Sequence, residues 1–144
     1  MARESIRVFV DSDVVISSLI SPSGAAYKLL HNTKEVELYV SSFSTLELEI
    51  VVNRLQLDTE KLQKVMSTRF ASIEINQSYK KVQEQFARYV RDIDDAHIVA
   101  GAKEAKVTFL VSYNIRHFES EKLRQDFQII VFTPGLFLQY LRSL

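Results

Sequence analysis

Four residues whose side chains carry oxygen ligands lie where a parallel α/β fold could bring them together: Asp11, Glu47, Asp95 and Asn114. Asp11 and Asn114 each follow an apolar run that predicts a strand, whereas the other two lie in the first turns of predicted helices. Carboxylates that converge would raise one another's pKa values, and a divalent cation would relieve the repulsion. Oxygen ligands suit Mg²⁺ or Mn²⁺, so we predict a site for one of these ions.

Each position also has a structural interpretation that needs no ligand. Ser44 and Glu47 fit the S-x-x-E capping box at a helix start. Asp92 and Asp95 fit an N-cap followed by a second acid that the helix dipole favours. The two residues that follow strands could cap the segments after them. Taken singly, a structural role is the more frequent one, and only convergence on one edge of the sheet would favour a site.

The helical phase distinguishes two neighbouring glutamates. Glu47 lies four residues before Val51 and therefore borders the predicted buried face, near the helix start. Glu49 lies four residues before Asn53 and should point toward solvent. Glu47 is therefore the candidate for the site, and Glu49 is interpreted as a solvated surface charge.

Predicted strands and helices alternate along the chain, which indicates a parallel sheet covered by helices on both faces. The strands are 6–10, 37–40, 71–75, 107–111 and 127–132. The helices are 25–31, 44–55, 58–70, 78–90, 92–105, 118–124 and a last one starting at Thr133 and Pro134. The fold class is α/β, a three-layer sandwich with a central, mostly parallel sheet flanked by helices. Ligands of such sheets bind at the carboxyl ends of the strands.

Length and composition predict one domain over residues 1–144, since 47% of the residues are hydrophobic and 25% are charged. The net charge is zero, so nucleic-acid binding would have to rest on local charge. The histidines, His31, His97 and His117, are scattered along the chain, which argues against a zinc site.

The sequence also predicts a cytoplasmic protein. It contains no Cys, which excludes disulfides and suits a reducing compartment. No apolar run approaches the roughly 18 residues of a membrane span. The N-terminal stretch 1–13 is too polar to predict a signal peptide.

Four stretches resemble the PIN domain family of nucleases, and together they span nearly the whole chain. They are VFVDSDVVISSLISPSGAAYKLL, VSSFSTLELEIVVNRL, RDIDDAHIVAGAKEAKVTFLVSYNIRHF and IIVFTPGLFLQYL. The most similar subgroup is the toxin components of toxin–antitoxin systems, related to VapC-type ribonucleases. The resemblance implies a single PIN-like domain that cuts single-stranded RNA with the help of Mg²⁺ or Mn²⁺.

The resemblance also implies roles for individual residues. The metal ligands would be Asp11, Glu47 and Asp95, and the fourth catalytic position would be Asn114. Ser12 and Ser112 match the small hydroxyl residues that flank the first and fourth positions, and with Arg116 they are predicted to contact RNA. As a separate hypothesis about the mechanism, Lys28, Arg54 and Lys122 are further cations for RNA, although a solvated surface charge is the commoner role of any single cation. Tyr113 would either stack on a base or be a partly buried core residue. Two departures from the family pattern are Asp13, where Asn is frequent, and Asn114, where Asp is frequent. The second removes a negative charge and predicts weaker metal binding.

Protein partners are also implied by the resemblance. Toxins of this type are neutralised by an antitoxin protein and often form homodimers. Apolar residues near the C-terminus, Phe137, Leu138 and Tyr140, are candidates for such a contact, although core packing is the commoner use of such residues.

Other functions fit parts of the sequence. A haloacid-dehalogenase-like phosphatase would use Asp11 as nucleophile and Asp13 as general acid, but the last acidic motif of that family follows a strand, whereas here residues 92–95 open a helix. A phosphorelay receiver needs a phospho-acceptor after a central strand, and Asp58 lies between two helices. A catalytically weak or inactive PIN-like domain that binds RNA or protein stays open, and Asn114 would suit it.

Overall fold

The computed structural model describes residues 5–144; residues 1–4, part of the stretch judged too polar for a signal peptide, lie outside the described residues. Within that range, five parallel strands form one sheet in the order β3-β2-β1-β4-β5. The strands are β1 (Ile6–Val10), β2 (Val36–Ser41), β3 (Phe70–Ile73), β4 (Phe109–Val111) and β5 (Ile130–Phe132). β1 is central and pairs with β2 and β4, so that Val10 lies beside Val111.

Helices cover both faces of the sheet, which confirms the predicted three-layer α/β sandwich. Those in the described residues are α1 (Ser12–Ile20), α2 (Ala25–Asn32), α3 (Ser42–Arg54), α4 (Thr59–Arg69), α5 (Tyr79–Phe86), α6 (Ala96–Glu104), α7 (Ser120–Phe127) and α8 (Pro134–Arg142). Short 3-10 turns occur at Ala87–Tyr89, Ile93–Asp95 and Ile115–His117. No helix within residues 5–144 is long and apolar enough to cross a membrane.

The core is divided between the two faces of the sheet because successive side chains of a strand point to opposite sides. Val8 and Val10 of β1 pack in a cluster with residues of α1, α2, α3, α4 and α8. Phe9 packs in a second cluster with residues of α5, α6 and α7. The side chains of Val8, Phe9 and Val10 are fully buried, whereas Arg7 of the same strand is exposed, so the apolar run is the second half of β1.

Gly101 allows α6 to lie directly against β1. A methyl group at Gly101 would meet the Cε2 and Cζ atoms of Phe9 at 2.6 Å, and Cβ of Ser41 at 3.2 Å. Only a residue without a side chain fits this contact. Asp95 directly precedes α6, and Asp11 directly follows β1. The close approach of the two elements therefore brings the start of α6 toward the end of β1.

Several element boundaries differ from the prediction. Helix α1 is not predicted, because two of its buried residues are the serines Ser12 and Ser18, which interrupt its apolar pattern. The strand predicted over 127–132 begins only at Ile130, since α7 continues to Phe127 and Gln128 then adopts a left-handed conformation with φ of 57°.

Of three further expectations, the structure corrects one and confirms two. Helix α3 is capped by Ser41, whose hydroxyl accepts a hydrogen bond from the Ser44 amide at 3.1 Å, so the capping-box interpretation of Glu47 is wrong. Phe137 and Leu138 are buried in the core, which confirms packing as their use. At the start of α8, Thr133 is the N-cap and Pro134 the first helical residue, as predicted.

Candidate active site

Asp11 is held at the junction of β1 and α1. Its Oδ1 accepts a hydrogen bond from the Ser12 amide at 2.7 Å, as the N-cap of α1, and its Oδ2 accepts one from the Ser112 hydroxyl at 2.8 Å. Parallel pairing of Val10 with Val111 places Asp11 and Ser112 side by side at the carboxyl ends of β1 and β4. The Asp11 side chain is therefore fixed, and the residue is only 8% exposed.

Asp13 lies in the first turn of α1 and joins the same hydrogen-bond network. Its Oδ2 accepts hydrogen bonds from the Tyr113 amide and from Nδ2 of Asn114, both at 3.1 Å, and lies 3.5 Å from the Ser112 hydroxyl. Its Oδ1 is buried and has no hydrogen-bond partner among the described residues. The sequence singles out Asp13 as a departure from the family pattern and as the general acid of the phosphatase alternative, whereas the structure makes it part of the acidic cluster.

Glu47 lies on α3 and contacts a histidine of α6. Its Oε2 is 3.0 Å from Nε2 of His97, whose side chain is only 4% exposed. The helical phase predicted a partly buried Glu47 and a solvated Glu49, and both expectations are confirmed.

Asp95 directly precedes α6 and contacts the third histidine of the chain. Its Oδ2 is 3.1 Å from Nδ1 of His117, in the 3-10 turn Ile115–His117. Asp92 caps the turn in front of α6 by accepting from the amide of Asp94, as predicted. Two histidines that are scattered in the sequence therefore lie beside the candidate carboxylates. The only sequence signal for them is their position, two residues after Asp95 and three after Asn114.

The electrostatics of the cluster link these acids to one another. Burial, followed by the charges of Asp13 and Asp95, raises the pKa of Asp11 to about 8. Burial is also the main cause that raises the pKa of Asp13 and the pKa of Asp95. The hydrogen bond with His97 instead lowers the pKa of Glu47.

Tyr79 is a shared neighbour of Glu47 and Asp95. Burial is the main cause that raises the pKa of the Tyr79 phenol, and the charges of Asp94, Glu47 and Asp95 raise it further. Glu47 and Asp95 therefore act on the same ring at the start of α5. The acids that follow β1 and those on α3 and before α6 thus belong to one region of negative potential.

The residues predicted to contact RNA occupy different environments. Ser12 is buried with its hydroxyl unpartnered among the described residues, and Ser112 is fully buried with its hydroxyl bonded to Asp11. Tyr113 and Arg116 are exposed beside Asn114. Lys28 lines a cavity with residues of α8. Nζ of Lys122 lies 3.5 Å from the carbonyl oxygen of Arg88. These neighbours place both lysines away from the acidic cluster.

The side chains suit a hard divalent cation by the chemistry of their donors. The cluster offers carboxylate oxygens, one of which, Oδ1 of Asp13, is buried without a partner. Glu47 and Asp95 each use one oxygen for a histidine and keep a second oxygen. Within residues 5–144, no three His, Asp or Glu side chains form a ready-made metal-binding group, so the oxygens would converge on one ion only after side-chain rotation.

The fold and this site define an α/β domain with a carboxylate cluster at the carboxyl edge of a parallel sheet. A profile of the PIN domain family matches residues 7–116, and the chain belongs to this family. The resemblance inferred from the sequence is thereby confirmed. The family is generally one of nucleases, which typically use a divalent metal ion.

Solved structures share this fold at low sequence identity. VapBC2 from Rickettsia felis, bound to a DNA fragment from its promoter, is 15% identical with a TM-score of 0.62, over 89% of this chain and 98% of that chain. A toxin–antitoxin complex from Klebsiella pneumoniae is 18% identical with a TM-score of 0.63, over 88% and 97%. FitAcB from Neisseria gonorrhoeae is 18% identical with a TM-score of 0.58, over 89% and 98%. No curated protein sequence matches the chain.

Proposed function

We propose that this protein is a metal-dependent endoribonuclease that hydrolyses phosphodiester bonds of single-stranded RNA, acting in the cytoplasm as the toxin of a toxin–antitoxin pair. The observation that carries the proposal is the convergence of acidic residues from separate elements on one edge of the sheet. Capping explains part of the geometry of Asp11, but it does not explain why Asp13 and Asp95 raise its pKa. A cluster of this kind is costly unless a cation neutralises it.

Mg²⁺ or Mn²⁺ would be held by Asp11, Glu47 and Asp95, with Asn114 in the fourth position. Asp13 is a further oxygen donor beside Asn114. The bound cation would supply Lewis acidity that activates water and neutralises charge in the in-line displacement at phosphorus. The raised pKa of Asp11 supports this assignment, because a carboxylate that is destabilised by burial and like charges gains most when a cation replaces its proton.

The remaining steps fall to the side chains of the chain itself. Glu47 or Asp95 would orient the attacking water and accept its proton, since each keeps one carboxylate oxygen that is not bonded to a histidine. Ser112 would hold Asp11 in place through the hydrogen bond that it already donates. These carboxylates lie on rigid elements, which suits the geometry that hydrolysis requires.

RNA would be bound by exposed groups beside the acidic cluster. Arg116 would contact a phosphate, and the half-exposed ring of Tyr113 would stack on an unpaired base. The net charge of zero limits nonspecific attraction to nucleic acid, so binding would depend on these local contacts.

An antitoxin protein is the proposed natural partner, and a homodimer is the proposed assembly. The support is the shared fold with a complex described as toxin–antitoxin from Klebsiella pneumoniae, together with membership of the PIN domain family. The antitoxin would restrain the nuclease until it is released or degraded.

Cleavage of a labelled single-stranded RNA tests the proposal directly. Wild type with Mn²⁺ should cut, and wild type with EDTA or Asp95→Asn with Mn²⁺ should not. Loss of a metal-binding carboxylate is expected to lower the rate by about 10²-fold or more. Asp92→Asn is a matched control, because Asp92 caps the same segment and acts on Asp95 only through its charge, with no proposed contact to the metal ion. Absence of cleavage by wild type across several RNAs would refute the proposed ribonuclease activity and leave RNA or protein binding as the function.

A further inference from the structure

We infer that His97 is a positioning residue that fixes the Glu47 carboxylate for metal binding by donating a hydrogen bond from Nε2. This inference rests on the proposed function, since it concerns one of the proposed ligands. The contact joins α6, which carries His97, to α3, which carries Glu47, over 3.0 Å. A carboxylate can only accept, so the hydrogen in this contact belongs to Nε2.

The imidazole ring of His97 is immobilised by its surroundings. The residue is 3% exposed, and the ring centroids of Phe43 and Tyr79 lie 6.2 Å and 6.0 Å from that of His97. A ring enclosed in this way presents Nε2 in one direction. Glu47, which is only partly buried, is therefore the more mobile partner, and the hydrogen bond restricts its movement.

A purely structural role explains His97 poorly. Its Nδ1 is buried and has no hydrogen-bond partner among the described residues. Burying a polar atom without a partner costs roughly 1–3 kcal/mol, whereas a phenylalanine ring would fill the same apolar space without that cost. Within residues 5–144, the single polar contact of the ring is the one with Glu47, which indicates that this contact is the reason for an imidazole at position 97.

The contact also connects two proposed ligands. Asp95 directly precedes α6, and His97 lies in the first turn of that helix. The helix that directly follows one carboxylate therefore also orients the other, because its His97 ring contacts Oε2 of Glu47 and not Oε1. Hydrogen bonds of this type to a metal-binding side chain typically change metal affinity by about 10–100-fold.

The test measures Mn²⁺ binding to the protein without RNA, by the electron paramagnetic resonance signal of the free ion. His97→Phe keeps an aromatic ring and removes the donor, whereas His97→Gln keeps an amide donor near the position of Nε2. We expect His97→Phe to weaken Mn²⁺ binding by about 10–100-fold and His97→Gln to recover most of the affinity. His31→Phe and His31→Gln are matched controls, because His31 stacks on Tyr27 of α2 away from the acids and should not change binding.

The outcomes separate this inference from the proposed function. If wild type binds no Mn²⁺, both fail. If wild type binds Mn²⁺ and His97→Phe binds it equally well, only the role of His97 is overturned. Equal losses in His97→Phe and His97→Gln, with unchanged melting temperatures in EDTA, also overturn the donor role. A long-range ¹H–¹⁵N spectrum of the unmutated protein does not depend on the folding of any variant, and an Nε2 without hydrogen overturns the inference.

Discussion

Asn114 donates a hydrogen bond from Nδ2 to Oδ2 of Asp13 over 3.1 Å, although 101 positions separate the two residues. In the sequence each residue is a departure from the PIN pattern, which often has an amide at the first position and an acid at the second. Their contact therefore pairs one acid with one amide in the reverse order of that pattern, as an exchange of the two positions would. The exchange leaves the number of negative charges at the site unchanged, so Asn114 alone does not indicate an inactive relative.

The exchange predicts a specific coupling between positions 13 and 114. Asn114→Asp places a second carboxylate against Asp13, and we expect the free energy of unfolding in EDTA at neutral pH to fall by roughly 1–3 kcal/mol. Asp13→Asn combined with Asn114→Asp restores one acid and one amide and should recover most of the loss. Urea denaturation of the four proteins in a double-mutant cycle measures the coupling. Strictly additive effects would show that the pair does not act as a unit.

Asp11 predicts that the stability of the metal-free protein falls as the pH rises. Burial, then the charges of Asp13 and Asp95, raises its pKa from 3.8 to about 8. Between these values the folded protein binds more protons than the unfolded chain, so stability is greatest below about pH 4 for this group and is lost toward pH 8. Asp11→Asn should flatten the slope of unfolding free energy against pH in EDTA. Parallel profiles for wild type and variant would contradict the assignment.

Mn²⁺ should reverse this dependence in the wild type, which supplies a control within the same experiment. Metal binding requires the deprotonated carboxylate, so the stabilisation by Mn²⁺ should grow as the pH rises. In Asp11→Asn the added ion should raise the melting temperature much less. A uniform effect of Mn²⁺ on both proteins would indicate binding elsewhere.

Gly101 predicts a large effect from one added methyl group. Gly101→Ala would place Cβ 2.6 Å from the ring of Phe9, and overpacking of this kind costs roughly 1–3 kcal/mol. Gly135→Ala is the matched control, because Gly135 also lies in a helix and has no atom within 4 Å of the added group. That change should be neutral or stabilise by up to about 1 kcal/mol. Equal unfolding free energies for the two variants would contradict the close packing of α6 on β1.

The strands and most helices follow from local patterns in the sequence. β1 is predicted with its observed bounds because Ile6–Val10 is a short β-branched run that ends at the polar Asp11, and its last three residues are buried. α1 escapes prediction because buried serines occupy part of its inner face. The end of α7 is missed because the left-handed residue that ends it is Gln128, which is neither Gly nor Asn.

The candidate site is only partly accessible to sequence reasoning. Helical phase selects Glu47 over Glu49, since burial on a helix follows its periodicity. The contacts of His97 with Glu47 and of His117 with Asp95 join residues on different elements, and no spacing along the chain encodes them. The sequence names Asp13 but does not assign it to the PIN-like site, and its place there is recognised only through its hydrogen bonds to residues after β4.

The contact between Phe9 and Gly101 connects the packing of the hydrophobic core to the positions of the acidic residues at the carboxyl edge of the sheet. Phe9 lies two residues before Asp11, and Gly101 lies six residues after Asp95. The packing of the Phe9 ring on Gly101 therefore bears on the separation of Asp11 and Asp95, on which their Coulomb repulsion depends. A substitution deep in the apolar interior, with no polar atom involved, would change the acidity of a carboxylate and its affinity for a cation.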